Sequence, residues 1–224
     1  MSFDYSTLAD HLHNGSLVAF VGAGASRSYQ DATSGQRWFG LNGAGDFVGI
    51  LSRKLSYIQA SMAFPAACFL YKKKEGRGEL ERFLLEHYDR PQVPPSPAHV
   101  MLANTSFAAY MTTNFDRLLE TALREAKKKP YSIIEDDDVP GFRPSDTPII
   151  KLHGCVTRPK SLVAAEDEYL PLSEKSQLID AMVRTLLANR AVLFLGFALQ
   201  DADFKFVFDQ TKRSLGDRMP RSYA

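Results

Sequence analysis

Cysteine is scarce in this chain of 224 residues, which has only Cys68 and Cys155. Two isolated thiols form neither a Cys-x-x-Cys pair nor a disulfide framework, and they are too few for a four-cysteine zinc site. The histidines offer no replacement, because His11 and His13 are two residues apart on a predicted helix and no His-Glu-x-x-His motif occurs. We therefore predict that the protein binds no metal.

A surplus of charge and a long apolar run are also absent. The 27 Lys and Arg residues nearly balance the 26 Asp and Glu residues, so the basic footprint of a nucleic-acid-binding protein is missing. The longest apolar stretch, Ala191–Leu195 resuming at Phe197–Leu199, is far shorter than the roughly 20 residues that span a bilayer. The N-terminal residues lack the basic and apolar regions of a secretory signal. We expect a cytoplasmic protein with no membrane segment and no direct nucleic-acid contact.

Four short apolar runs predict strands that are buried on both faces of a parallel sheet. Each run stops at small or polar residues, where the strands of an open α/β sheet carry their functional groups. Helical patterns of apolar residues, in Phe115–Lys128 and Gln177–Ala188, lie between the runs. The runs are Leu17–Val21, Ala108–Met111, Pro148–Leu152 and Ala191–Leu195. This alternation predicts an α/β fold in which helices cover both faces of the sheet.

The stretch at about residues 47–102 breaks this alternation. Its patterns predict helices around Phe47–Leu55, Met62–Lys73 and Glu79–His87, followed by a linker at Pro91–Pro97. We interpret it as a helical insertion module within a single domain that spans residues 1–224.

A glycine-rich segment, Gly22-Ala23-Gly24-Ala25-Ser26, follows the first predicted strand. Glycines let a backbone approach a pyrophosphate, and free amides can bind its oxygens. The segment departs from Gly-x-Gly-x-x-Gly because Arg27 occupies the position of the third glycine. A nucleotide-binding loop and a plain tight turn both fit this pattern. A second glycine cluster, Gly40–Gly45, follows no apolar strand and is interpreted as a mobile loop.

Two further strand ends carry polar side chains that have both structural and functional interpretations. In Thr112-Thr113-Asn114-Phe115-Asp116, Asn114 could cap a helix whose first turn contains Asp116. Alternatively, the amide could hold a water or a ribose hydroxyl, and the carboxylate could accept from a carboxamide. In Lys151-Leu152-His153-Gly154, His153 could be either a hydrogen-bonded structural residue or a general base.

These motifs, taken together and in this order, resemble the sirtuin-like NAD-consuming domains, specifically the bacterial, zinc-free branch found in antiphage defence systems. The resemblance spans nearly the whole chain. It also includes Ser34-Gly35 with Trp38, and the segment Leu193–Asp201 near the end. Two positions depart from the family pattern. Ala198 stands where a serine is usual, and Arg37 stands where a proline commonly precedes Trp38.

The resemblance implies a Rossmann-like core that binds NAD as a substrate. It assigns His153 as the base and Asn114 to the nicotinamide ribose and the attacking water. Asp116 would contact the carboxamide, with Thr113 also in the cofactor site. Gly196 and Asp201 would line the adenosine side. The pyrophosphate would be held by Gly22, Ala23, Gly24 and Ser26.

The implied activity is hydrolysis of NAD to ADP-ribose and nicotinamide, in an abortive-infection effector of antiphage defence. Protein deacylation is the alternative within the enzyme class, although family deacylases usually carry a zinc ribbon that this chain cannot build. A non-catalytic NAD or nucleotide sensor on the same fold is the alternative from another class. The resemblance also implies control by homo-oligomerisation, or by a sensor or activator domain or protein. The present chain would then be the N-terminal part of a longer protein.

Overall fold

Strands and helices alternate along most of the chain in the computed structural model, which describes residues 5–30, 33–198 and 201–224. None of the helices in these ranges is long and apolar enough to cross a membrane. The strands are β1 Leu17–Val21, β2 Tyr29–Gln30, β3 Arg37–Trp38, β4 Ala109–Thr112, β5 Pro130–Ile133, β6 Thr147–Lys151, β7 Ala191–Leu195 and β8 Ser222–Tyr223. The α-helices are α1 Tyr5–His13, α2 Ala44–Lys54, α3 Phe64–Glu75, α4 Arg77–Tyr88, α5 Pro97–Asn104, α6 Leu118–Glu125, α7 Leu172–Lys175, α8 Gln177–Asn189 and α9 Ala202–Leu215.

Six strands form one sheet in the order β5-β6-β4-β1-β7-β8, and every neighbouring pair is parallel. From β1, the chain first builds β4, β5 and β6 on one side, and then returns to place β7 and β8 on the other. The strand order therefore reverses at β1, as in doubly wound folds. The short antiparallel pair β2 and β3 lies outside this sheet. The predicted parallel α/β sheet is confirmed.

The alternating side chains of β1 show why both faces of the sheet are covered. Val18 and Phe20 lie in a core with residues of α8 and α9, whereas Ala19 and Val21 lie in a second core with residues of α5 and α6. All four side chains are almost completely buried. A continuous apolar run is what a strand with two covered faces requires.

The predicted helical module contains α2, α3 and α4, which share a separate hydrophobic core. Phe47 is at its centre and packs against the rings of Phe64, Phe83 and Tyr88. Helix α5, near the predicted end of the module at about residue 102, packs against the sheet and α6 through Leu102 and Ala103. The interpretation of Gly40–Gly45 as a loop is wrong for its last two residues, because α2 begins at Ala44.

Helix α6 begins at Leu118, three residues later than the sequence pattern predicts. Asn114 is therefore not its N-cap. The preceding segment is held as a loop because the Leu118 N–H donates to Oδ1 of Asp116, and the Nζ of Lys151 donates to the carbonyl of Asp116. These bonds leave Asn114 in a loop at the end of β4 and not inside a helix.

Candidate functional site

Four loops leave the sheet at one level, where strands β6, β4, β1 and β7 end. Thr112 pairs with Lys151 on one side and with Val21 on the other. Val21 pairs in turn with Leu195. The four sequence motifs continue from these positions, so their side chains gather at the carboxyl edge of the sheet beside the central strand. Ligands of open α/β sheets bind at this edge, where the strand order reverses.

The glycines of the first and fourth loops allow the two loops to interlock. The N–H of Gly22 donates to the carbonyl of Leu195 (2.9 Å), and the N–H of Gly24 donates to that of Gly196 (2.8 Å). A Cβ on Gly22 would lie 2.5 Å from the Gly196 oxygen. Gly196 itself has φ +62°, and its Cβ would lie 2.5 Å from the nitrogen of Ala25. Packing alone therefore requires these glycines, apart from any role in binding a ligand.

The residues assigned to pyrophosphate binding divide into a buried pair and an exposed pair. Gly22 and Ser26 are buried, whereas Ala23 and Gly24 are exposed in the short 3₁₀ turn after β1. The amides of Gly22 and Gly24 are already used by the fourth loop. The surface that this turn offers to a ligand is consequently Ala23 and Gly24.

The side chain of Asn114 links the second loop to the first. Its Nδ2 donates to the carbonyl of Gly22 (3.1 Å) and to Oγ of Ser26 (3.3 Å). The Ser26 hydroxyl donates to Oδ2 of Asp116 (3.0 Å), which is buried. Among the described residues, no donor forms a hydrogen bond with Oδ1 of Asn114. The amide is thus fixed through its nitrogen, and its oxygen is left as an acceptor.

Lys151 lies below these loops, at the end of β6, with 1% of its surface exposed. Its Nζ donates to the carbonyl of Asp116 (2.5 Å) and to Oε1 of Glu120 (3.1 Å). Glu120 also accepts from the hydroxyl of Ser132 (3.0 Å). Burial lowers the pKa of Lys151, but the nearby carboxylates, Glu120 above all, raise it above its ordinary value. Lys151 is therefore charged, and its hydrogen bond to the carbonyl of Asp116 stabilises the loop that contains Asn114.

His153 follows in the turn after β6, and 4% of its side chain is exposed. Its Nε2 lies 2.5 Å from Oδ2 of Asp201, and the ring of Tyr169 packs against it with centroids 5.1 Å apart. Nδ1 is buried and has no hydrogen-bond partner in the part of the chain that the structure describes. Burial raises the pKa of Asp201, but the hydrogen bond and charge of His153, together with the backbone N–H groups of Phe204 and Asp203, lower it below its ordinary value.

The remaining assigned residues lie around this edge. Thr113 is partly exposed between Thr112 and Asn114, and Gly196 is exposed beside the glycine turn. Asp201, which the resemblance placed on the adenosine side, contacts His153. Leu199 and Gln200 of the last motif lie outside the described residues.

Two features of the site were not identified from the sequence. Tyr169 is 16 residues beyond His153, and no spacing rule connects them. Lys151 did carry a signal, because a lysine at the end of an apolar strand must find a buried partner. Within the described ranges, no group of three or more His, Cys, Asp or Glu side chains is arranged to hold a metal ion.

Two proteins with known names are similar in sequence to this chain. NAD(+) hydrolase ThsA of Cytobacillus dafuensis is 27% identical over 209 residues, which cover 92% of this chain and 40% of that protein. Defense-associated sirtuin 2 of Bacillus subtilis is 22% identical over 232 residues, which cover 96% of this chain and 21% of that protein. The chain thus spans less than half the length of either relative.

A solved structure and a family model are also similar to this chain. A Sir2 mutant solved with a p53 peptide and NAD has a TM-score of 0.51 at 19% identity, over 99% of this chain and 92% of that one, so the two share a fold. A family model described as a SIR2-like domain matches residues 108–224, just over half of the chain. The matched stretch contains Asn114, His153 and Asp201. The chain belongs to the SIR2-like family.

Proposed function

We propose that this chain is the catalytic region of an NAD⁺ hydrolase that releases nicotinamide and ADP-ribose. The observation that carries the proposal is the placement of two side chains at adjacent strand ends. Thr112 and Lys151 are paired at the ends of β4 and β6. Asn114 lies two residues after Thr112, and His153 lies two residues after Lys151. Nδ1 of His153 is buried without a hydrogen-bond partner among the described residues, and the Asn114 side chain is held through Nδ2, which leaves Oδ1 as an acceptor. The names of the ThsA relatives support the same activity.

The reaction needs a positioned water more than it needs an acid. Nicotinamide leaves the cationic ring of NAD⁺ as a neutral molecule, so no proton has to be supplied to it. The overall change is NAD⁺ + H₂O → ADP-ribose + nicotinamide + H⁺. The enzyme must stabilise an oxocarbenium-like transition state, place the water, and accept one proton.

The two acceptor atoms match these needs. Oδ1 of Asn114 can hold the water or a ribose hydroxyl, because the amide is fixed through its nitrogen by Gly22 and Ser26. Nδ1 of His153 can accept the proton when Nε2 carries the ring proton, because Nδ1 is buried and has no hydrogen-bond partner across the described ranges. Fixing both groups before the substrate arrives reduces the entropic cost of reaching the transition state.

We propose that the substrate phosphates lie against the exposed residues of the glycine turn and not against its buried residues. Ala23 and Gly24 provide a surface without bulky side chains at the carboxyl edge. Ser26 and Asp116 are hydrogen-bonded to each other and buried, so we propose that they hold Asn114 in place. A carboxamide contact with Asp116 would require this buried bond to open.

The wider role follows from the relatives and is part of the proposal. The name of the Bacillus subtilis relative points to defence, which fits an effector of antiphage abortive infection acting in the cytoplasm. An NAD⁺ hydrolase that was always active would deplete its own cell. We therefore propose control through homo-oligomerisation or through a sensor or activator module, since the relatives extend well beyond the matched region.

The test is chromatographic measurement of nicotinamide and ADP-ribose after NAD⁺ is incubated with the protein in the absence of any peptide. We expect equimolar release of both products. Replacing Asn114 or His153 with Ala should lower the rate by on the order of 10²–10⁴-fold, because each change removes water positioning or proton transfer. His13→Ala is the matched control, since His13 is exposed on α1.

Other outcomes would overturn the proposal. Full activity in either variant would remove that residue from the mechanism. Release of nicotinamide only when an acetyl-lysine peptide is added would identify a deacylase. Thermal stabilisation by NAD⁺ without any consumption, across a range of protein concentrations, would identify a binding module.

A further inference from the structure

The contact between His153 and Asp201 fixes which ring nitrogen carries the proton. Nε2 lies 2.5 Å from Oδ2 of Asp201, a distance at which two lone pairs would repel each other. One proton must therefore lie between them. A carboxylic acid is a stronger acid than an imidazolium, and the Phe204 N–H on Oδ1 further stabilises the carboxylate, so that proton belongs to His153; the lowered pKa of Asp201 agrees with this. In the neutral ring, Nε2 is then the donor and Nδ1 the acceptor.

Asp201 is itself held rigidly. Its Oδ1 accepts from the N–H of Phe204 (2.9 Å), so that it caps the N-terminus of α9. Phe204 is buried and packs on the ring of Phe20 in β1, with centroids 4.2 Å apart. Both carboxylate oxygens are thus engaged within the protein, and 12% of the side chain is exposed. These contacts leave little of Asp201 available to an adenosine group.

We infer that Asp201 is a positioning residue: it holds His153 in the tautomer with the proton on Nε2, so that Nδ1 is the atom that accepts the proton during hydrolysis. This inference rests on the proposed role of His153 as the base. After proton transfer, the carboxylate also stabilises the imidazolium that forms. An O–H bond of the attacking water breaks as Nδ1 takes its proton, and the water oxygen bonds to the ribose carbon that nicotinamide leaves; the proton on Nε2 stays in place.

Two other charged groups surround this pair and must be separated from it. Asp203 follows on the same helix, is half-buried, and makes no hydrogen bond to His153 within the described residues. Its pKa is raised by burial and by the charge of Asp201, against the opposing charges of His153 and Lys175. Lys175 donates to the carbonyl of Leu152. Asp203→Asn is therefore the matched control for Asp201→Asn.

The first experiment is ¹⁵N NMR of the histidine rings in the ligand-free protein, which has five histidines. The spectrum of His153→Ala identifies the His153 signals by their loss. We expect the wild-type ring to carry its proton on Nε2. In Asp201→Asn, the carboxamide can donate to Nε2, so the proton should move to Nδ1. Asp203→Asn should keep the wild-type tautomer. A wild-type ring protonated on Nδ1 alone would overturn the inference.

The second experiment separates positioning from substrate binding by steady-state kinetics of nicotinamide release. Asp201→Asn should lower kcat by on the order of 10²-fold with KM for NAD⁺ unchanged within about threefold. Asp201→Ser keeps a helix cap without a carboxylate, and it should lose a similar factor in kcat. Asp203→Asn should remain near wild type. A raised KM with unchanged kcat would instead assign Asp201 to the adenosine side.

The two experiments fail independently. If the wild-type protein releases no nicotinamide, the proposed function fails, and the NMR measurement still decides whether Asp201 sets the tautomer. If nicotinamide is released but Asp201→Asn retains both kcat and the wild-type tautomer, the proposed function stands and the inference about Asp201 is wrong.

Discussion

Lys151 and His153 lie two residues apart at the end of β6, and both are almost completely buried. They differ in how far their hydrogen bonds are completed. Lys151 is bonded to Asp116 and Glu120, which tie the strand to the loop and helix that follow β4. His153 is bonded to Asp201 through Nε2 only, and its Nδ1 lacks a partner among the described residues.

This difference distinguishes a residue that stabilises the fold, Lys151, from the residue that we propose takes part in the reaction, His153. A buried polar group without a partner costs free energy, so it persists where something other than stability maintains it. Lys151 completes a network and contributes to the shape of the edge. His153 has one buried ring nitrogen without a hydrogen-bond partner in the described part of the chain, which is the state that the proposed general base requires before its substrate arrives. The two residues should therefore respond differently to substitution.

Lys151→Met gives the largest expected change in stability. It leaves the buried carboxylate of Glu120 without its cation, which should lower the free energy of unfolding by about 3–5 kcal/mol. Chemical denaturation monitored by circular dichroism measures this loss. The double variant Lys151→Met with Glu120→Leu should recover part of it, because the pair is then replaced by apolar groups. A loss below about 1 kcal/mol in the single variant would contradict the supporting role of Lys151.

Gly196→Ala tests the interlocked loops next to His153. The left-handed φ costs an alanine about 1–3 kcal/mol, and the close contact with Ala25 adds to that cost. The matched control is Gly216→Ala, because Gly216 has φ +56° but open space around it. Thermal unfolding should show a larger loss at Gly196 than at Gly216. Equal losses would show that the loops can separate without cost.

Glu168→Gln gives the smallest expected change and adds a pH dependence. Glu168 accepts from Lys72, Arg77 and the amides of Ala164 and Ala165, so it joins the helical module to the chain after β6. Loss of its charge should cost about 1.5 kcal/mol at pH 7. Equilibrium denaturation of both proteins at a series of pH values measures the difference.

The sign of the pH effect follows from the lowered pKa of Glu168. Burial raises that pKa, but the two amides, Lys72 and Arg77 together lower it below its ordinary value of 4.5. Its contribution to stability is therefore complete above pH 4.5 and is lost as the pH falls through the lower folded value. The gap between wild type and Glu168→Gln should close in acid. A gap that is constant with pH would exclude a charge effect.

The sequence predicts the sheet well because burial on both faces leaves a distinct signal. Leu17–Val21 and Ala191–Leu195 match β1 and β7 at both ends. Strands β5 and β8 were not predicted, because they are short, they lie at the edges of the sheet, and their side chains do not form apolar runs. Helix α6 was predicted too long, since its start depends on Lys151, a residue remote in sequence.

The candidate site was located from the sequence, whereas its internal contacts were not. The ends of apolar runs predict where strands end, so Asn114 and His153 could be named as candidates at the carboxyl edge of the sheet. The contact between His153 and Asp201 joins residues 48 positions apart, and the side-chain network of Ser26 and Asp116 spans 90 positions. Such contacts depend on the packing of loops, which local patterns do not encode.

The most direct test of the central claim is the rate of nicotinamide release from NAD⁺ by wild type and by His153→Ala, each normalised to folded protein. We expect a loss on the order of 10²–10⁴-fold in the variant with little change in its melting temperature. Equal rates per folded protein in wild type and His153→Ala would contradict the assignment of His153 as the base.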